Sequence, residues 1–391
     1  MNLFRVLLVG GMAAALPARA VYAPVPEQDQ GKPLTFAVKT GLSYDTNIFG
    51  GATGEIGSSI FEFAPKVAYN ASVTDTTFMS LSYELTLDHY DNRPGDKLLD
   101  SHALMARVAH AFSQGTTIDV IEMFQAMSSP ESLLNGLPLN ADQSSKRNEI
   151  DGNFTTNINA KLGVTAKARS VYTKYDNATL GRSLDHFENL YGVAGDYAAR
   201  ADLKAVVEYR HGDVYYDKQG ETKNKHSDFF MAGLDYEIAK KLTVSGRFGN
   251  EWRDRAGASS TSVPYAEFTT KYDYAEGSFI TGGYMLTYDE PSDPARFTDT
   301  RVHRFTLGVQ HHLTALIVAS GSFDYEPSVL QGRHGQANID EDTTRAGLAL
   351  SYLPTKNWIT SASYDYDHVQ SGDAARTTKR TRFGLNASYT F

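Results

Sequence analysis

Arg382–Phe391 reads RFGLNASYTF. Phe383, Leu385, Ala387, Tyr389 and Phe391 fall on every second position, with Arg382, Gly384, Asn386, Ser388 and Thr390 between them. Successive side chains of a strand point to opposite faces, so this is a strand with one apolar and one polar face. A strand of a soluble sandwich usually runs on into a polar tail, whereas here the alternation holds to an aromatic ring. The medium that meets the apolar face decides the fold.

The same pattern recurs along the chain. LTFAVKTGLSY (34–44) sets Leu34, Phe36, Val38, Leu42 and Tyr44 against Lys39 and Ser43. MSLSYELTL (79–87) sets Met79, Leu81, Tyr83, Leu85 and Leu87 against Ser82, Glu84 and Thr86. LKAVVEYRH (203–211) sets Leu203, Ala205, Val207 and Tyr209 against Lys204, Glu208 and Arg210. About eighteen such segments of about ten residues can be read, the length of a tilted strand crossing a bilayer. Short connections (113–116, 239–241, 312–314, 354–357) alternate with long polar ones (45–57, 128–147, 176–185, 216–224, 289–298, 326–341, 369–376). Short turns at one end and long loops at the other are the layout of an outer-membrane barrel.

Charge placement decides between barrel and sandwich. Lys, Arg, Asp and Glu sit on the parity opposite to the aliphatic and aromatic residues, as a watery lumen allows and lipid does not. Tyr and Trp gather at segment ends (Tyr44, Tyr69, Tyr209, Tyr236, Trp252, Tyr272, Tyr288, Tyr352, Trp358, Tyr366), like interfacial girdles. The pattern predicts an all-β fold, a transmembrane antiparallel up-and-down β-barrel over residues 34–391. One segment resists. In TTIDVIEMFQAM (116–127), Asp119 and Glu122 have opposite parity, and a β-bulge near Val120–Ile121 or a strand end near Glu122 would keep both from lipid.

The N-terminus fits export. Arg5 precedes an apolar run from Val6 to Leu16, and Ala18-Arg19-Ala20 matches an A-x-A cleavage site at Ala18 and Ala20. Residues 1–20 therefore read as a signal peptide and the Pro-rich 21–33 as a periplasmic linker. A net charge of −9 disfavours nucleic acid as a partner, and the lack of Cys excludes disulfides and Cys-based metal sites.

Two stretches carry a family resemblance. GLSYDTNIF (Gly41–Phe49) and the final SYTF resemble the signatures of the β-barrel porin 2 family, as does a signal peptide followed by Tyr-rich hairpins. The resemblance implies an outer-membrane barrel of Gram-negative bacteria associated with exopolysaccharide export, with polysaccharide-export components as partners. It also marks Tyr389 and Phe391 as the signal read by barrel-assembly machinery, with Asn386 where a Gly is often found.

No G-x-S-x-G, H-E-x-x-H or Walker pattern occurs, so no catalytic, cofactor or metal residues are assigned. The working surface is the inferred lumen wall. It is lined by Lys39, Glu62, Lys66, Glu84, Asp88, Arg107, Lys167, Arg169, Lys204, Glu208, Arg210, Arg247, Glu251, Arg345 and Arg382. Interleaved signs suit a hydrated polar solute, whereas a strong ion filter needs rings of one sign. Leu133, Leu134, Leu137 and Leu139 in the longest loop suggest a constriction that dips inward. Outer-membrane lipid and lipopolysaccharide are the expected surroundings. The leading reading is a channel; a barrel enzyme acting on lipid or glycan and an adhesive barrel are the alternatives.

Overall fold

The computed structural model of the chain describes residues 33–128 and 144–391. The signal segment and Leu133, Leu134, Leu137 and Leu139 lie outside the described residues. The strands begin with β1 (Leu34–Asp45), β2 (Ser58–Thr74), β3 (Thr77–Tyr90), β4 (Leu98–Ser113), β5 (Thr116–Met127) and β6 (Ser145–Asn157). They continue with β7 (Leu162–Tyr175), β8 (His186–Arg200), β9 (Leu203–Tyr216), β10 (Lys225–Ala239), β11 (Leu242–Arg255) and β12 (Thr261–Ala275). Last come β13 (Ser278–Asp289), β14 (Phe297–His312), β15 (Ile317–Gly332), β16 (Ile339–Tyr352), β17 (Trp358–Ser371) and β18 (Thr378–Thr390). Helices α1 (Ala178–Leu184) and α2 (Gly220–Lys223) sit in long loops.

Each strand pairs antiparallel with its chain neighbours, and β1 pairs with β18, so one 18-stranded sheet closes on itself. RFGLNASYTF is the closing strand: Leu42 faces Leu385, Tyr44 faces Phe383 and Val38 faces Tyr389. Closure leaves no edge whose backbone N–H and C=O groups would go unpaired in lipid. The seam is locked at both ends. At the short-turn end the Phe391 amide donates to Phe36 O at 2.8 Å. At the long-loop end Arg380 Nε donates to Asp45 Oδ2 at 2.8 Å, with both side chains buried. Asn47 Nδ2 donates to Lys379 O at 3.0 Å, and the Thr46 amide to Thr381 O at 3.0 Å. Asp45, Thr46 and Asn47 all belong to the GLSYDTNIF stretch.

The two faces divide as the alternation requires. Leu42, Phe248, Leu348 and Leu385 are all more than 60% exposed on the outer face, an apolar coat with no protein covering it. Such a surface is stable only against hydrocarbon. Tyr69, Tyr236, Tyr272, Tyr352 and Trp358 ring the short-turn end, and Tyr44, Tyr215 and Trp252 the long-loop end. Tyr288 departs from this belt, being buried with the Arg253 guanidinium 4.1 Å from its ring centroid.

Three local expectations change. β15 continues through Pro327 to Gly332, so the connection expected at 326–341 shortens to 333–338. A further long-side loop, 91–97, follows β3. In β5 neither a bulge nor a strand end intervenes: both ladders run in register past Val120 and Ile121, and the strand extends to Met127. Asp119 turns inward to a bidentate contact with Arg107, and Glu122 stands outward opposite Ala106 and Ile150. The regular ladder outweighs the cost of one exposed carboxylate, because an outward Glu costs less than the about 2–4 kcal/mol of a midplane Arg or Lys.

Replacing Glu122 by Leu should therefore raise the unfolding free energy measured by urea titration in bilayers, whereas Leu81→Arg should lower it by about 2–4 kcal/mol and Ser82→Arg by far less. Equal damage at positions 81 and 82 would contradict the assignment of faces.

Candidate functional site

Contacts between strands that are not neighbours identify the inner face. Lys167 on β7 reaches Glu208 on β9 at 2.9 Å, and Arg210 on β9 reaches Tyr265 (3.2 Å) and Glu267 (3.5 Å) on β12. Only side chains that share the lumen can meet across intervening strands. The charges singled out in the sequence share this parity and pair with one another or with further inward charges. Lys39 lies 2.8 Å from Glu62 and Lys66 3.5 Å from Glu84, while Asp88 stands beside Glu62 in the β2–β3 ladder. Arg169 lies 3.3 Å from Glu149, Lys204 3.1 Å from Asp196 and Arg247 2.8 Å from Asp235. Arg345 lies 3.2 Å from Glu326 and Arg382 3.6 Å from Asp367.

The wall is asymmetric. Over the long-loop half of β9–β12 charges are packed away from water: Glu208, Arg210, Arg247 and Glu251 are buried, together with Arg253, Glu267 and Met231. Glu208 accepts from Lys167 and from Arg210 Nε (2.7 Å), Tyr265 donates to Glu267 (2.6 Å), and Ser227 donates to Glu251 (2.7 Å). Arg247 lies over Gly233, where a Cβ would come within 2.8 Å of its Cδ, and donates to Gly246 O and Leu234 O. Burial removes hydration from each charge, and the fixed partners replace it. Glu208, Arg210, Arg247 and Glu251 thus brace the wall instead of meeting lumen water, which corrects the sequence reading for these four. On β1–β3 the balance reverses. The side chains of Lys39 and Lys66 remain 42% and 46% exposed beside Glu62 and Glu84. This strip is a hydrated part of the inner surface, as are Lys204 and the Lys271–Asp273 pair near the short turns of β9 and β12.

At the long-loop end, connections fold over the lumen and clasp one another. Pro291 and Pro294 of the loop between β13 and β14 are fully buried, and Phe297 follows at 1% exposure. Glu290 accepts from Tyr216 at 2.7 Å and from Arg255 at 2.7 and 3.1 Å, and Lys225 lies 2.8 Å away. Ser292 accepts from Arg376, whose Nε also donates to Glu341 at 2.9 Å. Arg296 donates to Asp373 at 3.1 Å, and the Arg333 amide to Arg296 O at 2.9 Å. The sequence reading placed its constriction on the leucine-rich loop and missed this clasp. The available signal was Glu-Pro-Ser-Asp-Pro (290–294), where two prolines stiffen a loop that begins with a carboxylate.

Burial alone would raise the Glu290 carboxyl, but Lys225 and Arg255 outweigh it and hold the group well below the usual range. A depressed native pKa gives stabilisation that is complete above the unfolded value of about 4.3 and is lost as pH falls through the lower native value. The clasp should therefore be unchanged from pH 8 to 5 and loosen only in stronger acid. Glu290→Gln should loosen it at every pH. Breaking one side of a buried pair costs roughly 3–5 kcal/mol, so amide exchange at Ser292, Asp293 and Arg296 should accelerate about a hundredfold or more. Unchanged exchange in the variant would contradict the clasp.

No family model and no curated protein matches the sequence. Solved structures match in fold. OccK5 (OpdH) of Pseudomonas aeruginosa shares 14% identity at a TM-score of 0.50, covering 92% of this chain and 98% of that one. A BenF-like porin from Pseudomonas fluorescens Pf-5 shares 10% identity at a TM-score of 0.51, covering 92% and 99%. The chain has the fold of these barrels over nearly their whole length.

Proposed function

We propose that this chain is a channel of the bacterial outer membrane that passes small polar solutes along the hydrated strip of its lumen. The observation that carries the reading is Lys39 and Lys66 standing exposed inside a closed barrel whose outside is apolar, with the half-buried Glu62 and Glu84 beside them. Mixed signs on that strip suit uncharged or weakly charged solutes, since a strong ion filter needs one sign. The porin fold of the solved neighbours supports the same reading. Polymer export is the narrower reading that the GLSYDTNIF resemblance implies. Asp45, Thr46 and Asn47 of that stretch are engaged in the seam, a demand of closure that carries no information about cargo. Purified protein in planar bilayers should give discrete conductance steps, and Lys39→Glu with Lys66→Glu should shift the reversal potential toward cation preference. Silent bilayers from a correctly inserted barrel would sink the channel reading and favour the enzymatic or adhesive alternatives.

The terminal ring belongs to the same proposal. Phe391 packs edge-on to Tyr389 with centroids 4.9 Å apart, and its own ring is 62% exposed. An exposed terminal aromatic suits recognition by assembly machinery before insertion. Deleting Phe391 should leave precursor or periplasmic aggregate in cells, and normal amounts of heat-modifiable barrel would refute that role.

A further inference from the structure

Several arginine forks of this protein are filled, and other arginines with a buried, open Nε, such as Arg169, Arg247 and Arg382, still face a carboxylate. Arg107 presents Nε and Nη2 to Asp119, Arg376 to Glu341, Arg380 to Asp45 and Arg200 to Asp202. In each case one edge of the guanidinium meets one carboxylate, the geometry that makes Arg the preferred partner of planar oxyanions. Arg333 is the contrast. Its Nη1 donates to Thr222 O at 2.7 Å, closing the loop after β15 onto α2. Its other edge, Nε and Nη2, is buried and meets no acceptor among the described residues, and the residue is 5% exposed. A buried charged donor without an acceptor is costly, so the fork has a standing affinity for an anion.

A second cation shares the corner. Lys223, the last residue of α2, is 2% exposed and makes no ion pair among the described residues; its Nζ donates to Ser183 O at 3.1 Å and stands 5.3 Å from the Tyr216 ring centroid. Arg255 donates to Lys223 O at 2.8 Å and is itself engaged by Glu290 and Asp299. The acidic groups that act on Lys223, Asp293 and Glu221, do so only at a distance. Burial pushes both below their usual values, helped at Lys223 by Arg333 and at Arg333 by Arg255, and the opposing pull of Asp299 and Glu290 on Arg333 comes from carboxylates already engaged by Arg255.

We propose that Arg333 and Lys223 form an oxyanion-binding site at the long-loop mouth of the barrel, where a carboxylate or phosphoryl group takes the Arg333 fork and the Lys223 ammonium neutralises its charge. The bound group links the loop after β15 to the loop between β9 and β10. The proposal is independent of whether the barrel conducts.

Isothermal titration of the full chain in detergent tests it, with inorganic phosphate in one arm and acetate in the other at fixed ionic strength. Saturable one-site binding of at least one of them is the expected result, and the arm that binds more tightly identifies the group. Arg333→Gln should weaken binding at least about tenfold, since a charge-assisted hydrogen bond is worth roughly 1.5–3 kcal/mol. Arg333→Lys keeps the charge, loses the fork and should recover only part of the affinity. Lys223→Gln should weaken binding as well, and Arg93→Gln on the loop between β3 and β4 should not. Heat-modifiable mobility confirms the barrel in each variant. No saturable binding in either arm, or wild-type affinity in Arg333→Gln or in Lys223→Gln, would overturn the site.

Discussion

The requirement that no backbone hydrogen-bonding group be left open in hydrocarbon governs everything else in this molecule. It forces the sheet to close, and closure makes β1 and β18, 333 or more residues apart in sequence, into neighbours joined along nine register pairs. The seam is where a barrel can fail. Here it is held by a buried Asp45–Arg380 pair and by the Asn47 side chain, which bonds both Lys379 O and Gly51 O. Ile48 then packs with Ile60 and Tyr90, so the first loop is anchored to β2 and β3 as well as to β18. A single short stretch thus fixes both the closing register and the fold of the first rim loop.

Once the barrel is closed, its two faces are assigned different solvents and the inner one must find room for its charges. The β9–β12 wall solves this by pairing and burial, with Arg210 spanning to Tyr265 and Glu267 as an internal strut. The β1–β3 wall keeps its pairs hydrated. The β9–β12 wall is thus stiff toward the long loops, whereas Lys204, Lys271 and Asp273 near its short turns stay wet. The long-loop rim is tied as well: Lys223, Glu290, Arg255, Arg296, Arg333 and Arg376 join connections from α1 to the last loop into one clasp.

Much of this was legible in the sequence because parity is a local property. Strand count, closing pair, aromatic ends and the inward placement of Lys39 through Arg382 all follow from alternation read one segment at a time. What escaped depends on distance. The Arg333–Thr222 and Arg376–Ser292 contacts join residues 111 and 84 positions apart, and no periodicity announces them. Whether an inward charge is a brace or a wetted lining depends on what stands opposite, so Glu208 and Glu62 look alike in sequence. Glu122 escapes for another reason: strict alternation excludes an outward carboxylate, whereas a continuous ladder tolerates one. The connection expected at 326–341 is shorter because β15 passes through Pro327 with its partner Asp342 in register.

The absence of native cysteines makes the central claim directly measurable, because single-cysteine variants carry one label each. Spin labels placed in turn at positions 382 to 389 of the protein in bilayers report collision with oxygen, which concentrates in lipid, and with a water-soluble relaxant. The account predicts a period of two, with 383, 385, 387 and 389 lipid-exposed and 382, 384, 386 and 388 in water. Uniform accessibility along this strand, or the opposite phase, would contradict a closed barrel with an apolar outer face.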